Sequence, residues 1–247
     1  MKEIIGPYYP EVYLSQDYHN LLCSLKELKK EKPIDKKILY LKWIETLSYK
    51  NFDKCNNNVK RGLTEEYFKN YIINSDLTFF INKTININGK EFNPDFIVQK
   101  NKVNIIVEID EIYACKSGLP IHYYVNSEKG RIYSDYKWNE TLRDSGFQII
   151  RFAEYQILAY PQECINFINY IFSCIKNLKF PNRRKFKYIY PKFTYENSIL
   201  LSYHHVREKM VKSLSLDERI EFLSFIEKAK DGEWNSFFYK DLFEEKI

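Results

Sequence analysis

The spacing of apolar positions divides this chain into helices in front, a block of short strands in the middle, and helices again behind. Leu21, Leu22, Leu25 and Leu28 recur at helical spacing and predict a helix from Gln16 to Lys30, which Pro33 closes. Ile38, Leu39, Leu41 and Ile44 predict a second from Lys36 to Leu47, followed by the polar loop NFDKCNNNVKRG. A third is predicted over Leu63–Ile73, with Thr64 as N-cap and Phe68, Tyr71 and Ile72 on its apolar face. The period then shortens to that of strands. Leu77–Ile81 and Thr84–Ile87 are rich in β-branched and aromatic residues, and Asn88-Gly89 is a strong hairpin turn, since both residues tolerate positive φ.

The chain returns through Lys90–Gln99 and crosses into Val103–Asp110. Glu111–Tyr133 reads as irregular. A short helix is predicted over Asp135–Asp144, with Ser134 as N-cap and Gly146 as its stop. Phe147–Phe152 (FQIIRF) reads as a buried strand. Pro161 opens a further helix, with Cys164, Ile165, Ile168, Ile171, Phe172 and Ile175 on its apolar face. The order over 63–175 is α-β-β-β-α-β-α. A last helix is predicted after Ser215, where Ser215 and Glu218 form a capping box and Ile220, Leu223 and Ile226 an apolar stripe. The expectation is an α/β (α+β, mixed-sheet) core over 61–175, a helical N-terminal extension over 1–60, and a basic-aromatic segment with a helical C-terminal extension over 176–247.

Charge changes this picture in one place. The stretch Phe92–Asp110, FNPDFIVQKNKVNIIVEID, holds two apolar runs with Asp95 at the head of the first and Glu108 and Asp110 at the end of the second. Strand side chains alternate, so Glu108 and Asp110 share a face opposite Val107 and Ile109. Carboxylates in so apolar a run are costly without compensation, and a hard divalent cation with oxygen ligands is a usual one. Such a cation lowers the pKa of an attacking water and polarises a phosphate, which phosphodiester hydrolysis requires. Asp95, Glu108 and Asp110 are the candidate metal ligands. Glu65, on the preceding helix, is a supporting carboxylate or simply a residue favoured by the helix N-terminus.

At these residues the sequence resembles the PD-(D/E)xK nuclease superfamily. Pro94-Asp95 matches the "PD" and Glu108-Ile109-Asp110 falls where "(D/E)xK" is expected. The similarity is closer to the branch of very-short-patch-repair and restriction-endonuclease-like proteins, which often carries E-x-D, then a helix opening with Asp, a basic residue and Asn, then a G-x-x-hydrophobic-R-F strand. Here these are Asp135, Lys137 and Asn139, and Gly146 to Arg151-Phe152, with Glu65 at the place of the branch's first-helix glutamate. The resemblance covers about 61–175. It implies a restriction-endonuclease-like αβββαβ core and a Mg²⁺- or Mn²⁺-dependent endonuclease hydrolysing phosphodiesters of DNA in restriction, phage defence or repair. Asp110 stands where the superfamily has its catalytic lysine, and Trp138 where the branch often has arginine. Lys116, His122 and Lys137 are the candidates to replace the lysine, His122 also as a general acid. The alternative that these departures raise is a catalytically inactive module of the same fold that binds nucleic acid or assembles with a partner protein.

Composition adds less. The net charge of +5 admits a nucleic-acid partner without requiring one. Residues 176–192 carry seven basic and no acidic side chains, interleaved with Phe and Tyr. Lys179, Arg183, Arg184, Lys185 and Lys187 are candidate phosphate contacts, and the aromatics candidate stacking faces; a solvated linker with packed aromatics is the other reading. Five scattered cysteines without metal-knuckle spacing point to reduced thiols. No stretch has the length of a membrane span or the form of a signal peptide, so a cytoplasmic protein with no membrane partner is expected. Enzymes that cut both strands are often dimers, which makes a homodimer, or a partner protein of a defence system, an expected assembly.

Overall fold

The computed structural model describes residues 8–28, 35–47, 52–54, 62–114, 116–122, 133–188, 190–191, 195–203 and 205–212. The helix read after Ser215, Cys55 and Cys115 lie outside the described residues. The elements in order are β1 (Tyr8–Tyr9), β2 (Glu11–Tyr13), α1 (Gln16–Leu28), α2 (Lys36–Thr46), β3 (Asp53–Lys54), α3 (Leu63–Ile73), β4 (Thr78–Phe80), β5 (Lys83–Ile87), β6 (Lys90–Phe92), β7 (Phe96–Lys100) and β8 (Val103–Asp110). They continue with α4 (Tyr133–Asp144), β9 (Gln148–Ala153), α5 (Glu154–Ala159), α6 (Pro161–Lys176), a 3₁₀ turn at Arg183–Lys185, β10 (Tyr190–Pro191), α7 (Tyr195–Tyr203) and α8 (Val206–Lys212).

β8 is the centre of a mixed five-stranded sheet ordered β2-β9-β8-β7-β4, in which only β8 and β9 run parallel. Every residue of β8 is buried, which is why it reads as a near-continuous apolar run rather than an alternating one. Its odd-numbered residues, Val103 to Ile109, join Phe96, Val98, Ile150 and Phe152 against the apolar faces of α1, α3 and α6. On the other face Ile106 packs with Ile97, Ile149, Phe92, Leu142 and Phe147 beneath α4 and the β5–β6 hairpin. The even-numbered residues that end β8, Glu108 and Asp110, belong to this second face. The mixed α/β class, α3 and the helix opening at Pro161 stand as expected.

Four local expectations are corrected. β4 pairs directly with β7, so the Asn88-Gly89 hairpin is not a member of the main sheet; it leaves it and joins β3 in a separate three-stranded sheet. Thr64 is not the N-cap of α3. Gly62 holds that place, and Thr64 is buried inside the first turn. α4 begins at Tyr133, so Ser134 lies within the helix rather than capping it. The segment read as an N-terminal extension also contributes to the core. β2 is an edge strand of the main sheet, and Tyr18, Leu22 and Leu25 of α1 pack on its helical face. Gln148, at the start of β9, ties α1 in place: its side chain accepts from Ser15 N–H at 2.9 Å and donates to Ser15 Oγ at 2.6 Å.

Candidate functional site

Strand register assembles the site. Glu11 of β2 is paired with Arg151 of β9, and Arg151 with Glu108 of β8. Asp95, one residue ahead of the Phe96–Val107 pair, stands opposite Glu108 on the other side. One lateral row across four chain segments therefore reads Glu11, Arg151, Glu108, Asp95. All four side chains project to the face covered by α4 because each occupies the same phase of the pleat.

Glu108 is the anomalous member of this row. It is only 9 % exposed, and its Oε1 is buried with no hydrogen-bond partner among the described residues. Burial pushes its carboxyl group well above the usual range, the negative charges of Asp95, Asp110 and Glu65 push it further, and Arg151 opposes them. Asp95 is half-buried and accepts the Ile109 N–H at 2.7 Å. Loss of hydration still carries its pKa up to about 6, against the pull of that N–H and of Arg151. Two carboxylates side by side that resist ionisation are costly to bury, and a hard cation with oxygen ligands is one way to offset such a cost.

Asp110 is a different case, since protein donors already compensate its charge. Its oxygens accept from Arg151 Nε at 3.0 and 3.2 Å and from Arg151 Nη2 at 2.5 Å, and the Tyr9 hydroxyl donates to Oδ2 at 2.5 Å. The carboxylate is used to fix a guanidinium. Arg151 is completed by Asn139, whose Oδ1 accepts from Nη1 at 3.2 Å, and by the Trp138 ring 5.9 Å away. Trp138 is thus a cover for Arg151.

Of the candidates to replace the missing lysine, His122 lies at the site, with Nδ1 4.0 Å from Asp110 Oδ1 and its side chain a quarter exposed. Lys116, in the loop after β8, and Lys137, on α4, are both exposed. The side chain of Asp135 lies outside the described residues. Glu65 is half-buried in the first turn of α3, while Glu66 is exposed and paired with Lys69 at 3.2 Å. Among the described residues no group of three or more His, Cys, Asp or Glu has the arrangement of a metal cage. The donors that fit a cation are the oxygens of Asp95 and Glu108 with Glu65 beside them, a set that suits Mg²⁺ or Mn²⁺, which retain several waters.

The basic-aromatic segment resolves into two uses. Its described aromatics, Phe180, Phe186 and Tyr188, all pack within the protein. Phe186 is in the core, Tyr188 stacks on Tyr160 at 3.5 Å, and Phe180 packs against His19 under Lys26. Lys179, Arg184, Lys185 and Lys187 remain exposed, and the Arg183 side chain lies outside the described residues. The exposed cations are the groups that could meet phosphates, while the described rings are at least partly occupied by contacts within the protein.

No family model, curated protein or solved structure matches this chain. The functional reading therefore rests on geometry. Sequence reasoning found Asp95 and Glu108 but missed Tyr9, Glu11 and Arg151 as their neighbours. It also passed over Glu111, directly after β8, whose burial raises its pKa to about 7 against the pull of Arg207, with Glu154 and Glu65 adding to the rise. A lone arginine between apolar residues in FQIIRF was a usable signal, because a buried guanidinium needs a carboxylate.

These shifts set a pH dependence. For Asp95 and Glu111 the folded state favours the protonated form, so their contribution is complete below the ordinary carboxylate pKa values of 3.8 and 4.5 and is lost as pH rises through about 6 and about 7. In EDTA the melting temperature is expected to fall between roughly pH 4 and 7. An Asp95→Asn, Glu111→Gln double variant should show a flatter profile over that window by circular dichroism, and an equally steep one would discard the assignment.

Proposed function

We propose that this protein is a divalent-metal-dependent nuclease acting on DNA. The observation that carries the reading is Glu108 Oε1, buried without a hydrogen-bond partner among the described residues and opposite Asp95 in the register. Asp95 and Glu108 would hold Mg²⁺ or Mn²⁺, with Glu65 supporting them. When bound, the cation supplies an activated water and neutralises charge on the scissile phosphate. The residues of the chain orient that chemistry. Arg151, fixed by Asp110, Asn139 and Trp138, keeps the row in register and offsets part of its negative charge. His122, beside Asp110, would hand a proton to the departing oxygen. Lys179, Arg184, Lys185 and Lys187 would contact backbone phosphates, giving affinity that falls with salt.

The test is incubation of the protein with plasmid, linear and single-stranded DNA and with RNA, with and without Mg²⁺ or Mn²⁺. Cleavage is expected only with metal, and Asp95→Ala and Glu108→Ala should each abolish it while circular dichroism stays native. Undiminished cleavage by both variants would sink the assignment. A second reading, a nucleic-acid-binding or assembly module without catalysis, is favoured by the locking of Asp110 to Arg151 where the superfamily has a free lysine. Calorimetry separates the two, since only the first requires Mg²⁺ to bind at Asp95 and Glu108.

A further inference from the structure

Just past β8 the chain makes a tight excursion and returns to the carboxylates. Tyr113 and Pro120 form an isolated antiparallel bridge, Ala114 N–H donates to the Leu119 carbonyl at 2.9 Å, and Ile121 N–H to the Ile112 carbonyl at 3.1 Å. Its two feet are Glu111 and His122. The second faces Asp110. The first leans on the start of α3, where a Cβ placed on Gly62 would lie 2.2 Å from Glu111 Oε1 and 3.5 Å from Glu65 Oε1. The absence of a side chain at Gly62 is what lets the two glutamates converge.

A single residue from far along the chain grips this foot. Arg207 of α8 is fully buried. Its Nε donates to Glu154, and its Nη2 donates to the Tyr113 carbonyl at 2.6 Å and lies 3.6 Å from Glu111 Oε2. Its guanidinium lies over the Tyr113 ring at 4.3 Å. Its own N–H donates to the Tyr113 hydroxyl at 2.9 Å, which in turn donates to Glu208 at 2.9 Å. Glu154 closes the loop by accepting the Ile112 N–H at 3.2 Å. Residues 111, 112 and 113 are thus held in succession by one guanidinium and its carboxylate partner. Glu111 has one oxygen beside Arg207, while Oε1 is buried with no hydrogen-bond partner among the described residues.

Burying a charge to this extent is a poor route to stability, because apolar residues of similar volume commonly serve as well or better. A planar fork with fixed donor directions is instead a means of setting geometry. We propose that Arg207 is a positioning residue for the candidate site, holding the Glu111–His122 excursion so that Glu111 is a further carboxylate beside Glu65. What the positioned groups do rests on the nuclease reading; that they are positioned from α8 does not.

Amide hydrogen exchange on the full chain tests the clamp, and steady-state cleavage tests its purpose. Arg207→Met is expected to speed exchange about tenfold in peptides covering 111–122 while those covering 96–110 stay protected. It should lower kcat by roughly ten- to a hundredfold with KM little changed. Arg207→Lys, which keeps the charge but not the fork, should recover part of both effects and serves alone if the Met variant does not fold. Glu111→Gln should lower kcat without faster exchange. Unchanged exchange in the Arg207 variants, or loosened exchange with kcat intact, overturns the proposal. If the parent protein cleaves no nucleic acid, the nuclease reading fails by itself. Mg²⁺ titration then decides the clamp: loosened exchange with weaker Mg²⁺ binding in Arg207→Met supports it, and any other result rejects it.

Discussion

A Glu108→Gln variant is expected to melt at a higher temperature than the parent protein in EDTA and to have lost metal-dependent cleavage. Both effects follow from the same atom. In the parent, Oε1 of Glu108 is buried without a donor, and the charges of Asp95, Asp110 and Glu65 oppose its ionisation. Measured at a pH high enough to ionise Glu108, an amide of the same shape removes the cost of burying that charge beside its neighbours, a gain of about 1–2 kcal/mol. With a saturating divalent cation the order should reverse. The parent gains about 2.7 kcal/mol when the cation is at a hundred times its Kd, and the variant gains little. Loss of a principal metal ligand should reduce cleavage by at least about a hundredfold. Paired melts in EDTA and Mg²⁺ read the first effect, and plasmid cleavage the second. A variant that melts lower in both conditions would show that Glu108 is an ordinary core residue.

The second large effect lies one register step away. Arg151→Met is expected to cost about 3–5 kcal/mol in urea unfolding, because it leaves Asp110 buried and charged without its two-pronged partner, beside the Tyr9 hydroxyl and His122 at 4.0 Å. The Asp110→Asn, Arg151→Met double variant should recover a substantial part of that loss, since it removes the stranded charge together with its partner. A loss below about 1 kcal/mol would place this pair with solvent-screened surface bridges and remove it from the account of the site.

What the sequence disclosed follows the range of the interactions. α3, α6 and β8 are legible because each carries its own period, cap or apolar run over enough residues, whereas the single return strand expected over Lys90–Gln99 divides into β6 and β7, which belong to different sheets. β2 is not legible, because three residues, Glu-Val-Tyr, establish no period, and their strand identity comes from pairing with β9. α5 follows β9 with no turn residue between them, and all six of its residues are buried, so no polar face announces it. The β5–β6 hairpin was read correctly as a hairpin and placed in the wrong sheet, since a turn signal fixes the local partner and says nothing of the distant one. The site divides in the same way. Acids in an apolar strand are visible as a local contradiction. Their partners are not, for Tyr9 reaches Asp110 across 101 positions and Arg207 reaches Glu154 across 53.

The edge strand β2 also constrains the order of events during synthesis. Its partner in the sheet among the described residues is β9, made well after it, and Ser15 waits for Gln148, 133 residues later. At ordinary translation rates that interval is on the order of ten seconds, during which Val12 and Tyr13 have no strand to join. The sheet must nucleate on the neighbouring β7 and β8 and take in its N-terminal edge last. Glu11 is then delivered beside an Arg151–Glu108 pair that already exists, and the carboxylate row is completed from its earliest-made residue.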